Sequence, residues 1–158
     1  MQPPQVSLVQ PPVRSRGDQI GSMTIALTHE FMIDHPDAVI VQGDTNIVNA
    51  AVQAASYLGI PVIHVEAGLR SRDRDMPEES NRIIADALAD RHCAPTLLNV
   101  QNFQNEGIPS TNISLTGNTV VETVMHNPRP LSGNQGPPGC RFTARQLRAR
   151  DHSPAGEH

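Results

Sequence analysis

Hydrophobic positions change their period several times along this chain, and each change marks an element. From Asp18 onward Ile20, Met23, Ile25, Leu27, Phe31 and Met32 recur at helical spacing. The helix they predict stops before Asp34-His35-Pro36-Asp37, since a proline pushes the residue before it out of helical backbone. Residues 38–42 are then a β-branched run without alternation, the pattern of a strand buried on both faces of a parallel sheet. Gly43-Asp44-Thr45 ends that run, and 46–58 is an alanine-rich helix with Gly59 as its C-terminal stop. The unit repeats. Residues 61–65 form a second buried-type strand ending at Glu66-Ala67-Gly68, a charged loop spans 70–75, and 77–89 is a helix with proline in its first turn. A short third strand at 91–94, a helix at 96–106 closed by Gly107, a fourth strand at 112–116 and a last helix at 119–126 complete the pattern.

Strand and helix alternate throughout, which predicts an α/β domain with a parallel sheet. Short, right-handed crossovers place the C-terminal end of every strand along one edge. The predicted organisation has three parts: an irregular or disordered segment at 1–17, a partial Rossmann-like domain at 18–127, and a disordered tail at 128–158. The tail holds Pro128-Arg129-Pro130, Gly136-Pro137-Pro138-Gly139 and the arginines 145, 148 and 150, with no core pattern. A shifted or truncated reading frame has this appearance, and the tail accounts for much of the chain's 14 prolines.

Charge narrows the partners. The net charge of −4 argues against nucleic acid or a membrane surface, which select basic faces. All 12 basic residues are arginine, so Schiff-base and P-loop lysine chemistry is excluded within these residues, while bidentate phosphate binding is not. Cys93 and Cys140 form neither a CxxC pair nor a disulfide framework, which fits a reducing, cytoplasmic setting. The chain opens on a polar, proline-rich stretch rather than a signal peptide, and no apolar run reaches spanning length.

In open α/β sheets ligands bind beyond the carboxyl ends of the strands. Asp44, His64, Glu66 and Asn118 all fall there. Asp44 has two readings, a cap for the following helix or a ligand-facing acid. Glu66 sits between a strand and a glycine, serving a ligand or a local turn. His64 lies within a strand, where a histidine satisfied in the core is the commoner outcome, and His64-x-Glu66 is not a zinc pattern. Asp75 and Glu78 imitate a capping box. Glu78 and Arg82, four residues apart, share a helix face. A carboxylate paired with an arginine there stays ionised and suits a general base, although an ordinary surface ion pair has the same spacing.

Together the strings Val41-Gln42-Gly43-Asp44-Thr45, His64-Val65-Glu66-Ala67-Gly68-Leu69-Arg70, Pro77-Glu78-Glu79-Ser80-Asn81-Arg82 and Thr116-Gly117-Asn118-Thr119-Val120 resemble the non-hydrolysing UDP-N-acetylglucosamine 2-epimerases in order and approximate spacing. The resemblance covers about residues 17–124. It implies the two-domain glycosyltransferase-B fold, of which this chain supplies the later half of the N-terminal domain. It implies removal of the C2 proton of UDP-N-acetylglucosamine, elimination of UDP, and re-addition to give UDP-N-acetylmannosamine. By matching motif, Asp44, Glu66 and Glu78 are the catalytic carboxylates. Arg82, Arg70, His64 and Asn118 are the substrate-binding residues. The family uses no metal or other cofactor, works in the cytoplasm in polysaccharide biosynthesis, and usually forms homodimers.

The chain departs from that pattern. The Gly-Thr-Arg-Pro-Glu motif of the first strand and helix, and the C-terminal domain with its histidine and uridine-diphosphate pocket, have no counterpart. The loop between Arg70 and Pro77 is about two residues short. Two other readings stay open: a hydrolysing relative that releases free N-acetylmannosamine, and a non-catalytic nucleotide-sugar-binding remnant. The strand at 38–42, central in the family sheet, becomes an edge here, and an uncharged β-branched edge invites aggregation. The expectation is a truncated chain that folds poorly alone and turns over little substrate.

Overall fold

In the computed structural model, residues 15–119 and 121 are described. The expected tail at 128–158, most of the 1–17 segment and most of the helix expected after Thr119 lie outside them. Helix α1 (Arg16–Asp34) begins two residues earlier than its apolar period because Ser15 caps it, its hydroxyl accepting the Asp18 amide at 3.1 Å. It ends at His35, whose left-handed backbone (φ 45°) returns its N–H to the Phe31 carbonyl. Then follow β1 (Val39–Gln42), α2 (Asn46–Tyr57), β2 (Val62–Val65), α3 (Pro77–Leu88), β3 (Arg91–Ala94), α4 (Leu97–Asn105), a 3-10 turn at Ser110–Asn112, and β4 (Ile113–Leu115).

The four strands pair in the order β1-β2-β3-β4, all parallel, with Val41 opposite His64, His64 opposite His92 and His92 opposite Ile113. That row faces the helices. Val41 and Val62 pack with Val48, Ala51, Val52 and Ala55 of α2 and Ala85 of α3, and Leu27 and Phe31 of α1 close the cluster. A smaller cluster forms around Phe103 of α4, fully buried against Ala67 and Ala94, with its ring 4.6 Å from that of His92. Burying a side chain of this kind contributes about 2–3 kcal/mol. Because each successive strand adds on the same side of the last, all three crossover helices land on one face of the sheet.

This corrects the reading of β1 as buried on both faces. Val41 is buried, but Ile40 on the opposite face is 68% exposed. No element among the described residues covers that side of β1, whose outer edge also lacks a partner strand there. We expect Ile40→Lys to lower light scattering of the concentrated chain without lowering its unfolding midpoint, because a charge on an open edge opposes strand-to-strand pairing and buries nothing. Unchanged scattering would show that association runs through another surface. Among the described residues no helix is long and apolar enough to cross a membrane.

Candidate active site

The C-terminal ends of β1 and β2 and the first turns of α3 meet along one edge. After β1 the chain turns at Gly43 (φ 78°), and Asp44 follows. Asp44 does not cap α2. The cap position is Thr45 and carries no side-chain hydrogen bond. The Asp44 carboxylate instead accepts from Arg82 Nη2 of α3 at 2.5 Å, while its side chain keeps 30% of its surface exposed. The backbone is held as firmly. Asn81 Nδ2 donates to the Asp44 carbonyl at 2.9 Å and to Asn46 Oδ1 at 3.1 Å, and Asn81 Oδ1 accepts from Asn49 at 2.7 Å. Asn81 is buried, so a polar latch satisfied at every contact ties α3 to the turn that carries Asp44.

Glu66 ends β2 in left-handed backbone (φ 61°), a conformation that costs a non-glycine residue about 1 kcal/mol and aims its side chain away from the strand's regular alternation. Its Oε1 accepts from Gln42 Nε2 at 2.9 Å and from the Thr119 hydroxyl, which brings three segments distant in sequence onto one carboxylate. Asn118 stands beside Thr119, after the turn at Gly117 (φ 81°), on the same edge.

The acids that open α3 divide differently from the sequence expectation. Arg82 pairs with Asp44 and with Glu79 Oε2, at 3.1 Å, rather than with Glu78. Glu78 is 46% exposed and lies 3.8 Å from Arg16 of α1. The i, i+4 spacing puts Glu78 and Arg82 on one face, but the long arginine reaches forward to Asp44 at the β1 turn while meeting Glu79 of its own helix. Nor do Asp75 and Glu78 form a capping box: the cap position is Met76, without a side-chain bond. Arg82 Nε is buried with no hydrogen-bond partner among the described residues.

Glu79 is 1% exposed and accepts from the Ser71 amide at 2.9 Å, the Ser71 hydroxyl at 3.0 Å and the Arg72 amide at 2.9 Å. Burial pushes its carboxyl up. The Ser71 and Arg72 amides, the Arg82 guanidinium and the Ser71 hydroxyl outweigh that and hold it down at about 2. Glu79 thereby pins the loop at 71–72, where Arg72 is also left-handed (φ 61°).

His64 and Arg70 are brought together but turned inward. His64 is buried, with Nδ1 2.6 Å from Asp86 Oδ1 and Nε2 2.9 Å from the Gly43 carbonyl oxygen, so both ring nitrogens are occupied. Arg70 donates to Asp86 Oδ2 at 2.6 Å and makes a fork to Glu106 at 2.7 and 2.6 Å. Burial lowers its pKa, and the bonds to Glu106 and Asp86 outweigh that, raising it above the ordinary guanidinium value. Sequence reasoning missed Asp86 and Glu106, whose partners lie 22 and 36 residues away, beyond any local spacing rule. It gave no site role to Gln42, Glu79, Asn81 and Thr119, although all four stood inside the quoted strings and carried a legible signal.

Comparison with known proteins places this geometry. A family model described as UDP-N-acetylglucosamine 2-epimerase matches residues 1–137. The chain is 42% identical, over 131 residues, to the UDP-N-acetylglucosamine 2-epimerase of Methanococcus maripaludis, covering 83% of this chain and 35% of that protein. It superposes on the UDP-GlcNAc 2-epimerase of Methanocaldococcus jannaschii with a TM-score of 0.76 at 42% identity, over 79% of this chain and 34% of that one. A structure of the M. jannaschii enzyme in complex with UDP-GlcNAc and UDP gives a TM-score of 0.71 at 44% identity, covering 73% and 32%. The chain thus spans about a third of the length of the relatives it matches. Its four parallel strands form part of the Rossmann-like domain of a glycosyltransferase-B fold. The matched strings, the sheet topology and the acids along its edge together make this chain a member of the UDP-N-acetylglucosamine 2-epimerase family.

Proposed function

We propose that the edge built by Asp44, Glu66, Glu78 and Arg82 does the acid–base work of a nucleotide-sugar 2-epimerase acting on UDP-N-acetylglucosamine. The observation that carries the reading is the ion pair between Arg82 and Asp44, two residues 38 positions apart whose contact leaves part of the carboxylate open at the ligand edge. Epimerisation at C2 needs a carboxylate to take the proton, a second group to return one on the opposite face, and stabilisation of the departing diphosphate. Asp44 and Glu66 stand on successive strand ends and are each fixed by bonds that leave room for a further partner. Glu78, half-exposed at the start of α3, is the third acid. Arg82 supplies a positive charge beside Asp44. Arg70 and His64 serve this edge by holding its turns, and Asn118 lines it. Loss of the C2 proton with departure of UDP from C1 leaves a 1,2-unsaturated, glycal-type intermediate. Re-addition of UDP with the proton delivered from the other side inverts C2, so atoms and charge balance without a redox cofactor.

The test is titration of the nitrogen-15-labelled 158-residue chain with UDP-N-acetylglucosamine in D2O, following both amide shifts and the sugar's C2 proton. We expect shifts concentrated at 42–45, 66–70 and 117–119, with deuterium entering C2 slowly, since the relatives deploy about three times as much chain. Free N-acetylmannosamine as product would assign the hydrolysing reaction instead. A folded sample that shows neither shifts nor exchange would overturn the proposal.

A further inference from the structure

We propose that Asp86 is a positioning residue that couples the two strand-end turns carrying Asp44 and Glu66, an inference resting on the function proposed for those acids. Asp86 lies on α3, one helical turn beyond Arg82, with its side chain 3% exposed. Its Oδ1 lies 2.6 Å from His64 Nδ1, and the other nitrogen of that ring lies 2.9 Å from the carbonyl oxygen of Gly43, the residue before Asp44. Its Oδ2 accepts from the Gly68 amide at 3.2 Å and from Arg70 Nη1 at 2.6 Å, which anchors the turn that follows Glu66. Its own carbonyl accepts from His92 Nε2 of β3 at 2.9 Å. One carboxylate therefore reaches both turns, at one residue from Asp44 and two residues from Glu66.

The arrangement has a use beyond filling the core. Glu66 is left-handed, and such backbone persists only where its surroundings over-determine it. Asp86 does that from the C-terminal side, while Gln42 and Thr119 grip the Glu66 carboxylate itself. Arg82 and Asn81 hold Asp44 from the same helix. Helix α3 thus sets the separation of the two acids as a rigid part would, and Asp86 is the point where both turns are joined. Arg70 faces both Asp86 and Glu106, and both ring nitrogens of His64 are engaged. Breaking one member of such a buried group leaves the others uncompensated, so its geometry is sharply defined.

The experiment uses the full 158-residue chain, nitrogen-15-labelled and without sugar. Asp86→Asn keeps the side chain's size and removes its charge. The amide signals of Gly43 and Gly68 are expected to move together, with exchange against solvent about tenfold faster. His64→Gln is expected to move Gly43 directly and Gly68 through Asp86. The double variant is expected to move neither further than the larger single change, the non-additivity of groups that act as a unit. General loosening of the core would add instead. Additive shifts, or a Gly43 that ignores Asp86→Asn, overturn the proposal. If Asp86→Asn does not fold, His64→Gln decides alone, and a Gly68 amide that stays in place overturns it. With UDP-N-acetylglucosamine, Asp86→Asn is expected to bind as the unsubstituted chain does while C2 exchange falls about 10–100-fold, the signature of misplaced rather than missing groups. Silence of the unsubstituted chain toward the sugar nucleotide would sink the epimerase reading, whereas the Gly43–Gly68 coupling is read without sugar and stands or falls by itself.

Discussion

Gly68→Ala is expected to destabilise the chain by about 3 kcal/mol or more, a large fraction of the roughly 5–15 kcal/mol that holds an ordinary domain folded. Two costs add. Gly68 has φ 81°, where an added Cβ raises the energy of the backbone by about 1–2 kcal/mol. The same Cβ would lie 2.6 Å from Phe103 Cε2 and 2.9 Å from the Asn99 carbonyl oxygen. The Phe103 ring is fully buried, and Asn99 belongs to the backbone of α4, so neither yields without moving the helix. The glycine lets the β2 turn pass directly beneath α4, and Asn99 Nδ2 and Asn102 Nδ2 seal the crossing by donating to the Ala67 and Gly68 carbonyls at 3.1 and 2.9 Å. Urea unfolding of the variant beside the unsubstituted chain gives the difference. An unfolding midpoint that barely moves would mean that α4 shifts aside freely, contrary to the packing around Phe103.

Glu79→Gln carries the second large effect, and its size depends on pH in a stated direction. The Glu79 carboxyl titrates near 4.5 when unfolded and at about 2 when folded. A depressed folded value means that the ionised group favours the folded state above about pH 4.5, and that this contribution disappears as pH falls toward 2. That lowering corresponds to about 3 kcal/mol. The glutamine keeps an oxygen to accept from the Ser71 or Arg72 amide, but it leaves Arg82 with one carboxylate instead of two. Near pH 7 we expect Glu79→Gln to cost about 3 kcal/mol in urea unfolding, and the gap between the two proteins to narrow below about pH 4.5 and close near pH 2. A gap that stays constant across that range would show that Glu79 acts by shape rather than by charge.

The two variants probe opposite ends of one segment. The chain from Glu66 to Met76 has no regular structure, yet it is fastened at Gly68 by α4, at Arg70 by Asp86 and Glu106, and at Ser71–Arg72 by Glu79. Loops that carry function are held by a scaffold in this way. Helix α3, which holds this loop through Asp86 and Glu79, also orients Asp44 through Asn81 and Arg82, so a change in loop stability is expected to reach the acids.

The sequence by itself determined the order of the elements, because each change of hydrophobic period and each glycine or proline stop acts within a few residues. It also determined that Asp44, Glu66 and Asn118 share an edge, since parallel strands joined by right-handed crossovers leave no other place for their ends. The family was legible for a related reason. Gly68 and Asn81 belong to the matched strings, and each meets a demand, set by segments about 30 residues or more away, that other side chains fail. Which groups touch was decided only in three dimensions. Arg82 had Glu78 within its helical neighbourhood, but the nearness of the β1 turn gave it Asp44, with Glu79 as the second partner. The bland reading of Asp44 as a cap failed for the same reason, and that of His64 as a satisfied buried histidine held because Asp86 stands opposite its ring. The unalternating run at β1 promised two covered faces, whereas covering a face takes a neighbouring element, and among the described residues the helices all pack on one side. Periodicity reports what one segment prefers. The partner of a long charged side chain depends on where other segments come to rest, and that is a property of the assembled fold.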